Sequence, residues 1–539
     1  MLRPLPFLLL LLLALPALAK PPRLTLFITV DAMGTDVLLR HKPRLKGGLR
    51  QLIDSGAFYP YAEYAYAKPR TAPGHTTLAT GANPWRHGIV DNRIIDRATG
   101  KPERVFPDPA HPVLEAPLSN EDVSPALLMA ETLADRLRLS TQERGKAIAL
   151  SGKARSAIPL AGRLGQAYWY DETVGKFVTG TWYTKELPGW LKTFNASNPP
   201  EAWFGKPWEP LLARTEYTGE DDRAYEGEHY GLGRTFPHPL TGGLNAPGPH
   251  AYTAFAISPL ALDHTVRAAR AALEGEGLGK DEVPDLLAVS FSATDRVFHQ
   301  YGPTSWEMQD ALYRLDKAVG DLVALAEKAA GGRANLLVVL TADHGGAAVP
   351  EQWAASGVPA ERVNPTALSK ELTEALRAQF GGDITATVEE LDVYLGGKTL
   401  EGGKVDGAAV RRAAATWLGK QPSVVLAVPR DDLYTAPDVA GLVEPLRLGY
   451  YPGRSGDVLY VVKPFHVISA ASTGTNHGTP YSYDKQVPVV FAGKGVKPGV
   501  YPQTISTTDV APTVAALLEM SAPASAEGTP RAEAITLGR

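Results

Sequence analysis

Six aspartate and histidine side chains in this sequence have the chemistry of metal ligands. They are Asp31, Asp295, His299, Asp343, His344 and His477. The chain has no cysteine, which excludes disulfides, thiolate nucleophiles, thiolate zinc ligands and a formylglycine made from cysteine. Carboxylate oxygens and imidazole nitrogens suit zinc, and two zinc ions would supply Lewis-acid chemistry. The six residues therefore predict a two-zinc site, although such ligands also admit other divalent metals.

Two short spacings bring pairs of these ligands together. Asp295 and His299 are four residues apart, so a helix would place both on one face. Asp343 and His344 are adjacent and are followed by two glycines. A sharp glycine-rich turn at that point allows both side chains to converge.

Thr71 is the candidate nucleophile, within the segment 68–81 that reads KPRTAPGHTTLATG. Pro73 suits the first turn of a helix, which places Thr71 at or just before the helix N-terminus. The free N–H groups and dipole of a helix N-terminus favour an anion there. From the local sequence alone, an ordinary threonine N-cap is the alternative interpretation.

The elements that position these residues are short apolar runs that alternate with helical patterns. The strand runs are Leu24–Val30, 147–150, 286–291, 336–340 and 487–491, and the clearest helical patterns are 308–330 and 510–518. This alternation predicts an α/β fold with a mostly parallel central sheet flanked by helices. Ligands of such sheets bind beyond the carboxyl ends of the strands, where Asp31, Asp295 and Asp343 lie.

Residues 1–19 have the pattern of a secretory signal peptide. Arg3 precedes an apolar run over residues 7–15, which ends at Pro16 and an Ala17-x-Ala19 cleavage pattern. The run is shorter than the roughly 20 residues that span a bilayer, and no later stretch is long and apolar enough to do so. We therefore expect an exported protein, periplasmic or extracellular, with no membrane span after signal removal.

Residues 20–539 are predicted to form one catalytic domain with two additions. One is an aromatic-rich insertion at about 168–252, which either lines a substrate mouth or packs onto the core. The other is a smaller α+β subdomain at about 364–460, which contains no histidine and receives no chemical role.

The overall composition narrows the class of partner. The chain has 539 residues, 44% hydrophobic and 21% charged, with a net charge of −4. A disordered or low-complexity protein is excluded, and nothing favours a nucleic acid as partner.

Several motifs together resemble the alkaline phosphatase superfamily, which includes the nucleotide pyrophosphatase/phosphodiesterases. The resemblance runs over most of the mature chain. The motifs are Thr71-x-Pro73-Gly74-His75, Thr80-Gly81, the segment 87–92 (HGIVDN), the segment 341–345 (TADHG), the segment 474–480 (GTNHGTP) and the segment 506–513 (STTDVAPT).

The resemblance implies a role for each ligand candidate. Asp31, Asp343 and His344 resemble the ligands of one zinc, with Thr71 as its fourth ligand. Asp295, His299 and His477 resemble the ligands of the other. Asn92, 21 residues after Thr71 (92 − 71), resembles the asparagine that binds a non-bridging phosphoryl oxygen.

Lys153 and Arg155 indicate the subfamily. A Lys-x-Arg pair just after a strand resembles the phosphate-irrepressible (PafA-type) alkaline phosphatases, in which both side chains bind phosphoryl oxygens. A monoester dianion has one more charge than a diester, and two extra cations complement it. The aromatic residues Trp169, Tyr170, Trp182, Tyr183 and Trp190 also resemble the insertion of that subfamily. By itself, the pair would be interpreted as a solvated loop.

The resemblance implies a phosphate monoesterase that acts on small-molecule substrates in two steps, through a phospho-threonine at Thr71. A phosphodiesterase or nucleotide pyrophosphatase on the same scaffold is the first alternative. A sulfatase fits less well, because Thr71 stands where a modified Cys or Ser would be needed. An inactive phosphate- or metal-binding protein is the remote alternative, and a monomer is compatible with the sequence.

Overall fold

The apolar runs of the sequence form the centre of one large mixed sheet. A computed structural model describes residues 20–119 and 123–536, so the signal peptide predicted at residues 1–19 lies outside the described residues. The strand order across the sheet is Gly499–Val500, Ala57–Glu63, Gln486–Gly493, Leu336–Ala342, Leu24–Val30, Asp285–Phe291, Ala147–Ser151, Gln166–Asp171 and Lys176–Val178, with Ile505–Ser506 paired to Ala57–Glu63.

The five strands from Leu336–Ala342 to Gln166–Asp171 in that order are parallel to one another. Every residue of Leu24–Val30 is buried, because helices cover both faces of a parallel sheet and leave no polar side. The predicted α/β fold with a mostly parallel sheet is confirmed.

The strand register aligns the ends that carry the candidate ligands. Val30 lies opposite Phe291 on one side and Ala342 on the other. Asp31 and Asp343 therefore leave the sheet at the same level, and Asp295 is the third residue of the helix that follows the Asp285–Phe291 strand. Their convergence is a direct result of the register.

The sheet also contains strands that the sequence prediction described incompletely. The predicted run 487–491 is the longer strand Gln486–Gly493, and it runs antiparallel to both of its neighbours. One of these neighbours, Ala57–Glu63, was not predicted, since Pro60 and two tyrosines interrupt its apolar pattern.

The helices of the chain carry several of the remaining site residues, including Thr71, Arg155 and His299. The α-helices are Thr35–His41, Gly48–Ser55, Thr71–Thr80, Pro84–His87, Leu133–Ser140, Ala154–Ala161, Gly189–Ser197, Pro249–Ile257, Leu260–Glu276, Ala293–Tyr301, Trp306–Ala329, Pro350–Ala355, Pro365–Phe380, Lys398–Glu401, Gly407–Leu418, Val443–Gly449, Ser482–Lys485 and Val510–Leu517. Every residue of Thr71–Thr80 is buried. In the part of the chain that the structure describes, no helix is long and apolar enough to cross a membrane.

The aromatic residues of the segment 168–252 serve both packing and cavity formation. Trp169 and Trp208 are among the largest fully buried side chains. The indole N–H of Trp208 donates to Asp310 on the Trp306–Ala329 helix at 2.7 Å. Trp169 and Tyr170 also line a cavity beside Arg155.

The segment 364–460 contributes to a second, four-stranded antiparallel sheet. Its strand order is Thr385–Glu389, Asp392–Gly396, Val458–Val462 and Val424–Pro429. This sheet and two helices, Pro365–Phe380 and Gly407–Leu418, enclose a separate hydrophobic cluster. The turn between its first two strands contacts the segment that precedes Thr71.

Candidate active site

The predicted metal ligands form two adjacent groups at the carboxyl edge of the parallel strands. One group is Asp31, Asp343 and His344, and the other is Asp295, His299 and His477; within each, the candidate ligand atoms lie within 4.8 Å of one another. The groups touch, because the His344 and His477 rings stack with centroids 3.6 Å apart. The structure thus brings together all six ligand candidates of the sequence.

The distances within each group fit a shared ion between the side chains. His299 Nε2 and His477 Nε2 lie 3.3 and 3.6 Å from Asp295 Oδ1. In the other group, His344 Nε2 lies 3.3 Å from Asp31 Oδ1 and 3.5 Å from Asp343 Oδ2. The helix Ala293–Tyr301 places Asp295 and His299 on one face, as their spacing predicts.

Several of these ligand atoms are buried without a hydrogen-bond partner. They are Asp31 Oδ1, Asp295 Oδ1, Asp343 Oδ2, His344 Nε2 and His477 Nε2. Buried polar atoms normally have partners, since an unmet one is costly. The donor set and its unmet atoms therefore fit divalent cations.

Backbone carbonyls fix the histidine rings in the state that a metal needs. The Nδ1–H groups of His299, His344 and His477 donate to the carbonyls of Thr475, Gly345 and Pro69 at 3.0, 2.8 and 3.2 Å. A carbonyl only accepts, so Nδ1 carries the proton and Nε2 keeps its lone pair. Such bonds orient metal-ligating histidines.

The charges in the site are unbalanced toward the negative. Burial and the Asp31 charge raise the pKa of Asp343 well above its usual range. Burial and the Asp295 charge also act on Asp31, but Lys153 and His344 outweigh them and hold the pKa of Asp31 below its ordinary value. Three buried carboxylates this close resist ionisation together, and cations among them relieve that repulsion.

Thr71 is the first residue of its helix, and its hydroxyl is buried without a hydrogen-bond partner. The next N–H of this helix, from Ala72, donates to Asn92 Oδ1 at 2.8 Å. Arg70 stands at the N-cap position and makes no side-chain cap. The Thr71 hydroxyl therefore does not cap the helix, and its oxygen is free to act as the candidate nucleophile.

His75 ties the Thr71 helix to the metal-ligand cluster. Its Nδ1–H donates to the Thr71 carbonyl at 2.8 Å and lies 3.2 Å from Asp343 Oδ2, while its Nε2 accepts from the Ser290 hydroxyl at 2.8 Å. Burial lowers the pKa of His75 to about 4. The ring is neutral at ordinary pH and fixes the distance between Thr71 and the sheet edge.

Gly74 explains the close approach of this helix to Asp343. A Cβ at position 74 would lie 2.3 Å from the Asp343 carbonyl oxygen, which is closer than contact permits. We expect Gly74→Ala to push the helix off the sheet edge and to lower the free energy of unfolding by about 1–3 kcal/mol. The rate would fall by about tenfold or more, because the nucleophile moves. Thermal unfolding and kcat of the purified variant check this.

Gly189→Ala is the matched control for that prediction. Gly189 also lies in the first turn of a helix, and a Cβ there meets nothing within 4 Å. It should leave both the melting temperature and the rate unchanged. A Gly74→Ala protein as stable and active as this control would contradict the packing argument.

Lys153 and Arg155 lie where the sequence expects them, directly after the Ala147–Ser151 strand. The Lys153 ammonium is 2.7 Å from Asp31 Oδ2 and also bonds to Asp295, so it joins one carboxylate of each ligand group. The Arg155 Nε is buried without a partner. Burial lowers the pKa of the Arg155 guanidinium, and the nearby Arg296 and Arg70 act in the same direction.

Two cavities meet at Arg155. One, of about 450 Å³, is lined by Asn92, Arg70 and Arg155 together with apolar residues that include Phe106. The other, of about 350 Å³, is lined by Lys153, Arg155 and Trp169 among others. All three predicted phosphate-binding residues therefore line one or both of two cavities that share Arg155, and Lys153 also contacts one carboxylate of each ligand group.

Three charged residues of this region, Arg70, Asp91 and Glu390, receive no role in the sequence analysis. Arg70 lies next to Thr71 and contacts Asp91 and Glu390 through buried ion pairs. Its position beside the nucleophile was the available signal. Glu390 offered none, because it lies more than 300 residues away in a segment with no metal-ligand motif.

Comparisons with known proteins place this geometry in a family. A family model described as type I phosphodiesterase / nucleotide pyrophosphatase matches residues 25–480. Alkaline phosphatase PafA of Elizabethkingia meningoseptica is 33% identical over 524 residues, which cover 95% of this chain and 94% of that protein. Alkaline phosphatase PhoV of Synechococcus elongatus is 32% identical over 518 residues, which cover 95% of this chain and 93% of that protein.

Solved structures give the same result. The crystal structure of wild-type PafA superposes with a TM-score of 0.89 at 32% identity, over 96% of this chain and 99% of that chain. A second structure of that enzyme, which superposes equally well, carries substitutions of one threonine, one asparagine, one lysine and one arginine. Murine ectonucleotide pyrophosphatase / phosphodiesterase 5 shares the fold, with a TM-score of 0.52 at 15% identity over 92% of this chain and 95% of that chain.

Proposed function

Because this chain belongs to the type I phosphodiesterase and nucleotide pyrophosphatase family, we propose that it is an exported phosphatase that hydrolyses phosphate monoesters through a phosphorylated Thr71 at a two-zinc site. It is a phosphatase of the alkaline phosphatase superfamily, as its motifs predict. The resemblance to the PafA-type enzymes is confirmed. The preference for monoesters, the intermediate, the zinc and the export are the proposal.

One observation carries the proposal: an unpartnered buried hydroxyl, two metal-ligand groups and three predicted phosphate-binding side chains converge at one sheet edge. The hydroxyl is that of Thr71, and the cavities beside the ligand groups are lined by Asn92, Lys153 and Arg155. Threonine, asparagine, lysine and arginine are also the residue types substituted together in the PafA variant. Phosphoryl transfer requires mainly positioning and charge neutralisation, which these groups provide.

The two ligand groups would each hold one zinc ion. Asp31, Asp343, His344 and Thr71 would hold the first; Asp295, His299 and His477 would hold the second. When bound, zinc would neutralise phosphoryl charge and lower the pKa of the oxygens that it holds.

The chain's own residues then account for both steps. In the first step, a bond forms between Thr71 Oγ and phosphorus, and the bond to the ester oxygen breaks; the leaving group takes up a proton. In the second step, a water oxygen bonds to phosphorus from the vacated side, the bond between phosphorus and Thr71 Oγ breaks, and inorganic phosphate leaves; a proton from that water restores the Thr71 hydroxyl. No side chain of the described residues hydrogen-bonds to Thr71 Oγ as a base, so its proton passes to solvent.

Asn92, Lys153 and Arg155 bind the phosphoryl group in this proposal. The Asn92 carbonyl oxygen is engaged by the Ala72 N–H, which leaves the Asn92 amide N–H groups to donate to a phosphoryl oxygen. Arg155 has an unused buried N–H, and Lys153 adds a second cation at the junction of the ligand groups. Two cations beyond the metals suit a monoester dianion better than a diester.

A phosphodiesterase is the second candidate, and one observation favours it. The lining of the 450 Å³ cavity includes the apolar residues Pro102, Val105, Phe106 and Val123, which could receive the second organic group of a diester. The name of the matching family model includes that activity. The cationic residues in the same lining, among them Arg70 and Arg155, favour the monoester.

The deciding experiment compares three substrates with the zinc-loaded mature enzyme. We expect kcat/KM for an aryl phosphate monoester to exceed that for the matching aryl phosphodiester and aryl sulfate by orders of magnitude. Lys153→Ala and Arg155→Ala should each lower monoester kcat/KM by about 100-fold. They should lower diester kcat/KM much less, because a diester has one charge fewer.

Lys192→Ala and Arg377→Ala are the matched controls, since both side chains form exposed surface ion pairs and should leave every rate unchanged. A faster diester reaction would contradict the monoesterase proposal. Equal losses of kcat/KM for the monoester and the diester in the Lys153 and Arg155 variants would contradict the proposal that these side chains bind the second negative charge of a monoester.

Export rests on the sequence of residues 1–19. Expression of the full chain should place the phosphatase activity outside the cytoplasm and shorten the protein to begin near Lys20. N-terminal sequencing of the mature protein checks the cleavage site.

A further inference from the structure

A buried network of charges joins the segment before Thr71 to the four-stranded sheet. Lys68 and Arg70, on either side of Pro69, are both buried. Lys68 bonds to Asp392 of that sheet and lies 3.4 Å from Asp91. Both cations are almost entirely removed from solvent, so they depend on their carboxylate partners.

Arg70 is the centre of this network. Its Nη1 lies 2.9 Å from Glu390 Oε2, and its Nε lies 3.1 Å from Asp91 Oδ1. Its Nη1–H also donates to the His477 carbonyl at 3.1 Å. One guanidinium therefore links the four-stranded sheet, the loop that contains Asp91 and Asn92, and the loop that contains His477. Lysine does not reproduce this geometry.

The backbone of Glu390, whose side chain contacts Arg70, has an unusual conformation. It lies in the turn between Thr385–Glu389 and Asp392–Gly396 and has a φ of 51°, in the left-handed region that non-glycine residues seldom adopt. Its carbonyl accepts from the Tyr460 hydroxyl at 2.7 Å, and the Asn476 amide lies 3.5 Å from its carboxylate. Strained residues of this kind persist where the surroundings fix them.

Two of the three partners of Arg70, Asp91 and His477, adjoin or belong to the proposed site. Arg70 precedes Thr71, Asp91 precedes Asn92, and the His477 carbonyl belongs to a ligand whose ring donates in turn to Pro69. A shift of Arg70 would therefore move the nucleophile, a phosphate-binding residue and a metal ligand relative to one another.

We propose that Glu390 is a positioning residue for this enzyme, and that the four-stranded sheet acts on catalysis through the Glu390–Arg70 ion pair. This inference rests on the proposed function. Glu390 acts through Arg70, which orients Thr71, and it touches no reacting atom. The second sheet is thus part of the active-site architecture, although it contributes no ligand or nucleophile.

Glu390→Gln in the full zinc-loaded enzyme is the test. The substitution keeps the size and an acceptor oxygen but removes the charge, which leaves Arg70 under-compensated. We expect kcat for an aryl phosphate monoester to fall by about 10- to 100-fold, because small displacements of a nucleophile have effects of this size. KM and the bound zinc per chain should stay close to those of the wild type, and the protein should remain folded at the assay temperature, although loss of a buried ion pair lowers the melting temperature.

Glu444→Gln is the matched control. Glu444 lies on the Val443–Gly449 helix and pairs with Arg447 at an exposed site, at 3.1 Å. The same chemical change there should leave kcat, KM and stability unaltered.

Arg70→Lys tests the same link from its other end and keeps the proposal falsifiable if Glu390→Gln folds poorly. It should lower kcat to a similar degree, and the double variant should be no slower than the slower single variant within about twofold, since both changes break one link. Multiplicative losses in the double variant would overturn the proposal.

Two further outcomes would overturn it. One is a Glu390→Gln enzyme whose kcat matches that of Glu444→Gln. The other is a loss of activity that is fully explained by loss of zinc or by unfolding at the assay temperature, which would make Glu390 a stabilising residue only. A wild-type protein without monoesterase activity would instead refute the proposed function, which is a separate result.

Discussion

Thr71→Ala is expected to abolish phosphate monoester hydrolysis, with kcat reduced by about 10⁴-fold or more. The Thr71 hydroxyl is buried, unpartnered and located at the helix N-terminus beside the two ligand groups. Removal of this oxygen removes the group that forms the covalent intermediate. The fold should survive, because alanine favours a helix and the lost hydroxyl makes no hydrogen bond. Steady-state kinetics with an aryl phosphate monoester measure the effect.

Acid-quenched samples analysed by mass spectrometry identify the intermediate directly. The wild type under turnover should carry one phosphoryl group on a peptide that contains Thr71, and Thr71→Ala should carry none. Thr76→Ala is the matched control, since its hydroxyl bonds only within the same helix, to the Ala72 carbonyl at 2.7 Å. That variant should keep kcat within about threefold, as expected for loss of one local hydrogen bond. A Thr71→Ala enzyme with a rate close to that of Thr76→Ala would exclude Thr71 as the nucleophile.

The parts of the site that could be predicted from sequence are those set by local structure. Asp31 and Asp343 follow buried strands directly, so a parallel sheet alone brings them together once the register is fixed. The i, i+4 pair of Asp295 and His299 follows from helix geometry in the same way. His477 lies more than 130 residues from any of these, and only a resemblance to known motifs could assign it.

The parts that could not be predicted depend on contacts between distant segments. Glu390 contacts Arg70 across 320 positions of the chain (390 − 70), and neither its residue type nor its neighbours mark it. The strand Ala57–Glu63 was missed because its neighbours in the sheet, rather than its own interrupted pattern, make it a strand. Periodicity describes one element at a time, whereas pairing and buried ion pairs depend on the whole fold.

Removal of metal is expected to abolish activity and to lower the melting temperature of the protein. Asp31, Asp295 and Asp343 are buried together, with Lys153 as the cation that bonds to two of them. Burial, together with the charges of Asp31 and Asp295, raises the pKa of Asp343, and bound cations would favour its charged form. Each ion that binds only the folded state adds about 2.7 kcal/mol of stability when its free concentration is 100 times its Kd. Differential scanning calorimetry of chelated and zinc-loaded protein, with the zinc content of each, measures this stabilisation apart from activity.

Asp295→Asn is the variant that links the metal to the chain, because Asp295 Oδ1 lies between His299 Nε2 and His477 Nε2. It should bind one zinc fewer than the wild type, lose activity by about 10³-fold or more, and gain less in melting temperature on addition of zinc. Asp432→Asn, at an exposed ion pair with Arg412, should behave as the wild type in all three measurements. Full activity in protein shown to be free of metal would refute the two-zinc site. A different outcome is that Asp295→Asn binds as much zinc as the wild type and gains as much in melting temperature when zinc is added. That result would show that the ions bind elsewhere, since the ligand atoms without hydrogen-bond partners would then have no role in holding them.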